Sequence, residues 1–247
     1  MFNPVLELSP SGMPVLSNQK IDLMGEQMAV DFDKAILLKP HELDVERFVE
    51  RYLKMSLDFM YLSHCGVYLG TTVFQTTDYL PVYLPEERHA DYAHVDAGTI
   101  IIDSSLADGS KEHRYRYTLG HEGGHSVLHT TYFLNSIGSA ERDQTGIYVR
   151  CRADFKIGKN QYSGIRNMTD IERAEQQANR FSAAILMPRS AVKILLARKP
   201  YNRKAGWIAD AIMKLSETFN VSYTAAFYRL KDLDIIETDA ICPFRLS

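Results

Sequence analysis

Three features of the sequence predict an α+β fold. Helical apolar periodicity recurs towards both ends of the chain, and short Val-, Ile-, Thr- and Tyr-rich runs lie between Gly66 and Asp103. A His-Glu-x-x-His string follows inside a segment of helical pattern. The expected architecture is a small antiparallel sheet packed on the helix that carries this string, with a second glutamate-bearing helix beside it and further C-terminal helices. With 247 residues, 45% hydrophobic, 11% aromatic and 24% charged, the chain is an ordinary globular sequence; disordered and fibrous classes are excluded. The balance of 28 Lys+Arg against 31 Asp+Glu lacks the positive field on which non-specific binding to nucleic acid or anionic membranes rests. Cys65, Cys151 and Cys242 are odd in number and contain no C-x-x-C, so they offer neither a disulfide framework nor a four-cysteine zinc knuckle.

Residues 1–40 read as a lead punctuated by Pro4, Pro10 and Pro14, with a short helix over Lys20 to Asp33. The lead has neither the early positive charges nor the apolar run of a signal peptide, and Phe59 to Thr77, though uncharged, is too polar to span a bilayer. A soluble, cytoplasmic protein is expected, with its main domain over residues 41–247. His41-Glu42-Leu43-Asp44-Val45 lacks a second histidine and reads as a helix start; the helix continues to about Met60 through Val45, Phe48, Val49, Tyr52, Leu53 and Leu57. Strands are expected at Val67 to Phe74, Val82 to Leu84 and Thr99 to Asp103. The last is either an edge that pairs with an extended substrate or a plain core strand.

A turn at Asp108-Gly109-Ser110 can cap a helix from Lys111 to Phe133. Residues 135–168, glycine-bearing and locally basic, read as a long loop or hairpin. Thr169-Asp170-Ile171-Glu172 is a capping box opening a helix whose stripe is Ala174, Ala178, Phe181 and Ile185 and which stops before Pro188. Helices over Trp207 to Phe219 and Ser222 to Leu233 give residues 203–236 the look of a helix-turn-helix. From Arg203 to Lys231 five basic residues stand against two acidic ones, and Asp232, Asp234, Glu237 and Asp239 follow at once, so packing on the core is expected before DNA binding.

The decisive string is His121-Glu122-Gly123-Gly124-His125. On a helix, positions four apart share a face, so both imidazoles can reach one metal ion, while Glu122 is rotated by roughly 100° and can hold a water beside it as general base. Gly120, Gly123 and Gly124 together cost about 2 to 3 kcal/mol of helix propensity, which suits a helix that something must approach closely. A catalytic zinc needs a third protein ligand. The metzincin pattern is absent, because Leu128 and Thr131 stand where its Gly and third His belong. His129 lies one further turn along, but three turns rising about 5.4 Å each overreach one tetrahedron. His129 is therefore expected to support a ligand or face the substrate. Glu172 and Glu175 share a face of the capped helix; Glu172 is engaged by the capping box, which favours Glu175. Asn179, one turn later, can hydrogen-bond a ligating histidine and fix its tautomer. Tyr148, Tyr162 and several histidines are equally placed as donors to an oxyanion.

The string Tyr117 to His125, followed by Glu175-Gln176-Gln177-Ala178-Asn179-Arg180-Phe181 through Met187-Pro188, resembles the ImmA/IrrE family of metallo-endopeptidases. The similarity runs from about Val45 to Ile236. Gly123 and the long stretch between His125 and Glu175 depart from the family pattern. The resemblance implies a zincin-like, gluzincin-type peptidase holding one zinc ion on His121, His125 and Glu175, with Glu122 as base. The implied protein substrate is a helix-turn-helix repressor, whose cleavage would alter transcription. The alternative class is a DNA-associated regulator or interaction protein with a structural or silent metal site, which would have no use for Glu122.

Overall fold

Local signals set the helix boundaries. The computed structural model describes residues 2, 4–136, 147–152, 168–197 and 206–244. Helix α1 (Asn18–Phe32) begins where the Ser17 side chain accepts a hydrogen bond from the Lys20 amide. After the short α2 (Ala35–Leu38), α3 (Val45–Arg47) is capped by Asp44 and runs into a π-helical turn at Phe48–Tyr52. The helix expected to reach Met60 ends there: Lys54 takes φ 61°, and the Ser56 amide donates to Gly98 O at 2.9 Å. Leu57 had completed a helical stripe in the sequence, but its backbone is instead recruited into a sheet.

That sheet has the order β1-β5-β2-β6, formed by β1 (Ser56–Met60), β5 (Thr99–Asp103), β2 (Tyr68–Val73) and β6 (Tyr148–Arg152). It is mixed and not antiparallel throughout, because β1 lies parallel to β5, Ser56 opposite Thr99 and Met60 opposite Asp103. Of the two readings of β5, the plain core strand is the one found, and the edge reading is corrected: it lies between β1 and β2, and all five of its residues are buried. Among the described residues the edges are β1 and β6. Alternation along β5 sends Ile100 and Ile102 into the main core and Ile101 into a smaller cluster. That cluster lies under a separate hairpin of β3 (Thr77–Leu84) and β4 (His89–Val95).

Helix α4 (Glu112–Leu128) follows a 3-10 turn whose Asp108 side chain accepts from the Ser110 amide at 3.0 Å. The helix expected to run to Phe133 breaks at His129 and resumes as α5 (Thr130–Ser136). Of the loop expected over residues 135–168, 147–152 hold β6, and residues 137–146 and 153–167 lie outside the described ones. Helix α6 (Asp170–Leu186) has the full capping box, and α7 (Arg189–Ala197) follows Pro188. The tail forms α8 (Trp207–Phe219) and α9 (Tyr223–Asp232), turning at Asn220 with φ 52°. Its Ala211, Ile212, Leu215, Phe219, Ala226 and Leu230 are buried in the main core with residues of α1, α4, α6 and α7. The pair is thus part of the packed body. Among the described residues no helix is long and apolar enough to cross a membrane.

One buried ionic cluster binds the ends of the chain to α6. Asp22 on α1 accepts from Arg180 of α6 through Oδ2, at 2.6 Å, and from Arg229 of α9 through Oδ1. Arg180 also pairs with Asp232 at 3.0 Å, and Arg229 Nε donates to Met187 O. Removing the shared anion leaves two buried guanidinium groups short of a partner. Asp22→Ala is expected to cost about 3 to 5 kcal/mol, or about 10 °C in melting temperature for a chain of this size, read by thermal unfolding. A shift of a degree or two would show that the cluster is dispensable.

Candidate metal centre

The close contact of α4 with α6 builds the site. A Cβ at Gly124 would lie 3.1 Å from Ala178 Cα and 3.2 Å from Ala178 O, so the glycine lets the two backbones approach a few tenths of an ångström closer than a side chain there would. His121 and His125, one turn apart and fully buried, then face Glu175. Their Nε2 atoms lie 3.0 Å apart; Glu175 Oε2 is 3.3 Å from His121 Nε2, and Oε1 is 3.2 Å from His125 Nε2. Glu172 is spent as the sequence suggests: its carboxylate accepts from the Thr169 amide at 2.9 Å while the Thr169 hydroxyl caps the Glu172 amide.

Hydrogen bonds fix where the protons of the two histidines lie. Gln177 Nε2 donates to Pro14 O, which leaves Gln177 Oε1 to accept from His129 Nε2 at 3.0 Å. His129 Nδ1 then carries a lone pair and accepts from His125 Nδ1 at 3.1 Å, so His125 presents Nε2 without a proton. On the other side, Asn179 Oδ1 accepts from the Tyr117 hydroxyl and from His121 Nδ1, the latter at 3.1 Å, which strips His121 Nε2 in the same way. In their neutral forms, therefore, both rings turn an Nε2 lone pair towards the Glu175 carboxylate inside the protein. Such a set calls for a cation. Spacings of 3.0 to 3.3 Å are close to the roughly 3.3 Å edge of a tetrahedron with ligands about 2.0 to 2.1 Å from zinc. The residues fit a metal ion.

The electrostatics of the ion-free site agree. Burial opposes charge on His121, but Cys151 and Glu175 raise its pKa well above the ordinary value, as though a proton stood in for the cation. Burial depresses His125 and, more strongly, His129. Burial also works to raise the Glu175 carboxyl, yet the two histidines hold it well below the usual carboxylate range.

Glu122 lies between His121 and β2. Thr72 Oγ1 donates to its Oε2 at 2.6 Å, while its buried Oε1 has no hydrogen-bond partner among the described residues. A Cβ at Gly70 would sit 2.7 Å from that oxygen, so the strand opposite is cut back to make room. Burial pushes the Glu122 pKa up to about 8, against the pull of His121 and Thr72. This places it in the range of a general base working near neutrality.

The structure thus brings together all six residues singled out in the sequence: His121, Glu122, His125 and Glu175, with Asn179 behind His121 and His129 behind His125. His129 is fully buried, which removes the substrate-facing option for it. Of the oxyanion candidates, Tyr148 packs against the hairpin cluster, and Tyr162 lies outside the described residues. Sequence reasoning missed Tyr117, Thr72, Gln177 and Cys151. Tyr117 stands one turn before His121 on the same helix, a spacing that could have flagged it. Thr72 and Cys151 arrive from strands, which no local spacing reveals.

A comparison with protein-family models matches residues 76–231 to the IrrE N-terminal-like domain of peptidase family M78. The chain belongs to the ImmA/IrrE metallopeptidase family. A comparison with curated proteins gave no significant match. The matched stretch of this ImmA/IrrE chain contains α4 and α6 and so every member of the His-His-Glu cluster. Gly70 and Thr72, which shape and hold Glu122, lie just before it. Because Ala178 meets Gly124 with backbone atoms, Gly124→Ala must push α6 away from α4. We expect a loss of about 1 to 3 kcal/mol in stability and at least a tenfold weaker hold on a divalent metal ion, measured by thermal unfolding and chelator competition. Unchanged affinity would show that the site tolerates a wider gap.

Proposed function

We propose that this chain is a zinc-dependent endopeptidase that cuts a DNA-binding repressor of the helix-turn-helix class. One observation supports the metal chemistry above the others: two imidazole nitrogens and the Glu175 carboxylate converge beside a second buried carboxylate, one oxygen of which has no hydrogen-bond partner among the described residues. Two histidines and one carboxylate are the donor set of a catalytic zinc with an open fourth position. His121 and His125 would hold the ion through Nε2 and Glu175 through its carboxylate. Bound there, zinc supplies Lewis acidity, making water acidic near neutral pH and polarising a peptide carbonyl.

The remaining work falls to the chain's own side chains. The Thr72 hydroxyl anchors Glu122 Oε2, so Oε1 is the atom that takes a proton from the attacking water and returns it to the leaving amine. Asn179 and His129 keep the imidazoles in the tautomers that leave Nε2 free. With β5 enclosed between neighbours, β6 is, among the described residues, the edge that reaches the cluster, and an extended substrate segment would add to it by backbone pairing. The repressor as substrate rests on the family to which the chain belongs. Burial of α8 and α9 in the core weighs against the rival reading of the tail as a DNA-binding arm.

Glu122→Gln keeps the shape of the side chain and removes the base. The variant is expected to retain one equivalent of zinc and to lose about 10² to 10⁴-fold in cleavage of purified helix-turn-helix repressors, followed by fragment mass. Undiminished cleavage would take Glu122 out of the mechanism, and cuts spread across unrelated folded proteins would replace the repressor with broad specificity.

A further inference from the structure

The hairpin of β3 and β4 has one face inside the protein and one exposed. On the inner face Leu80, Val82 and Val95 fill the smaller apolar cluster together with Ile101 of β5. Alternation along the strands turns Tyr79 and Tyr92 the other way, and these are 61% and 62% exposed. Their rings meet edge to face with centroids 6.0 Å apart, beside Pro81, which stands opposite Tyr92 in the ladder.

Charge singles out the same element. Residues 77–96 hold Asp78, Glu86, Glu87, Asp91 and Asp96 against Arg88, so this hairpin by itself outweighs the net charge of −3 of the whole chain. All five carboxylates are exposed, and each of the two tyrosines directly follows one of the aspartates. Rigid, amphipathic rings amid exposed charges are what a protein interface uses as its anchors and rim.

The sign of the charge selects the occupant. An acidic face repels nucleic acid and anionic lipid and complements a basic protein surface. A DNA-binding protein carries such a surface, because it has to neutralise phosphates. Position agrees with this choice. The inner side of the hairpin packs against Tyr68 of β2 and Tyr148 of β6, and Arg150 of β6 donates to Pro81 O. The hairpin therefore borders the strand assigned above to the extended substrate segment.

We propose that the exposed face of the β3–β4 hairpin is a docking surface for the protein substrate, holding the basic face of the repressor while its cleavable segment reaches β6. This rests on the repressor-peptidase reading given above. Contacts made so far from the reacting bond are equally strong before and during the reaction, so they lower KM and leave kcat alone.

The test compares the full-length wild type with Tyr79→Ala/Tyr92→Ala and with the charge reversal Glu86→Lys/Asp91→Lys. The probes are a purified helix-turn-helix repressor that the wild type cuts and a short peptide spanning the same bond. On the intact repressor, both variants are expected to raise KM about tenfold or more, with kcat within about twofold of the wild type. On the peptide they should match the wild type. Wild-type KM for the repressor should also climb between about 50 and about 300 mM salt, and the peptide's should not. Should the tyrosine variant fail to fold, the charge reversal and the salt series decide the matter, since neither alters the ring pair. An unchanged KM for the repressor, or an equal loss on the peptide, would overturn the docking role and leave the peptidase reading standing. So would a wild-type dimer that the variants dissociate, since the face would then join two copies of this chain. No cleavage of any helix-turn-helix repressor by the wild type would overturn both.

Discussion

The convergence of two imidazole nitrogens and a carboxylate between α4 and α6 is the constraint on which the rest of the structure depends. Two imidazole lone pairs and a carboxylate repel one another, and burial removes the water that would screen them. They stay together only because other groups force them to. The Gly124 contact brings the helix backbones close, and Asn179 with Tyr117 holds one imidazole tautomer. The relay from Pro14 through Gln177 and His129 holds the other. This explains why a segment as remote as the N-terminal lead matters to the site: its Pro14 carbonyl sets the orientation of Gln177, two bonds removed from a ligand candidate.

The scaffold around this point is arranged to keep α6 in place. Asp22, Arg180, Arg229 and Asp232 join α1, α6 and α9 through charges that share partners, and a large apolar core encloses them. Buried ion pairs of this kind add little net stability compared with apolar packing, but they specify geometry because any displaced member is left unpaired. On the opposite side of α4, β2 supplies both the hydroxyl that orients Glu122 and the missing side chain that admits it. The site thus draws its metal-facing atoms from two helices and its base-orienting atoms from a strand.

This division sets what the sequence could reveal. Helix-borne features repeat at fixed spacing, so His121, Glu122 and His125 were legible at once, and the capping box separated Glu175 from Glu172 before any geometry was known. Asn179 followed from the same one-turn rule. Strand-borne features depend on pairing across long stretches of chain, which spacing does not encode. Ser56 to Met60 carried a plausible helical stripe and became β1, because Lys54 adopts a left-handed conformation and β5 offers a free ladder. The same unseen pairing decided between the edge and core readings of β5 in favour of an interior strand. Cys151, read as one of three scattered cysteines, reached the site only through the register of β6 on β2. The helix break at His129, which turns that ring towards Gln177, likewise comes from tertiary contacts and not from a breaker residue.

The most direct test of the convergent-acceptor account is the metal content of the purified protein by elemental analysis, wild type beside Glu175→Ala and Glu172→Ala. The account predicts one equivalent of zinc per chain in the wild type and in Glu172→Ala, and loss of the ion in Glu175→Ala. A Glu175→Ala protein that keeps its zinc, or a wild type that binds none when zinc is supplied, would contradict it.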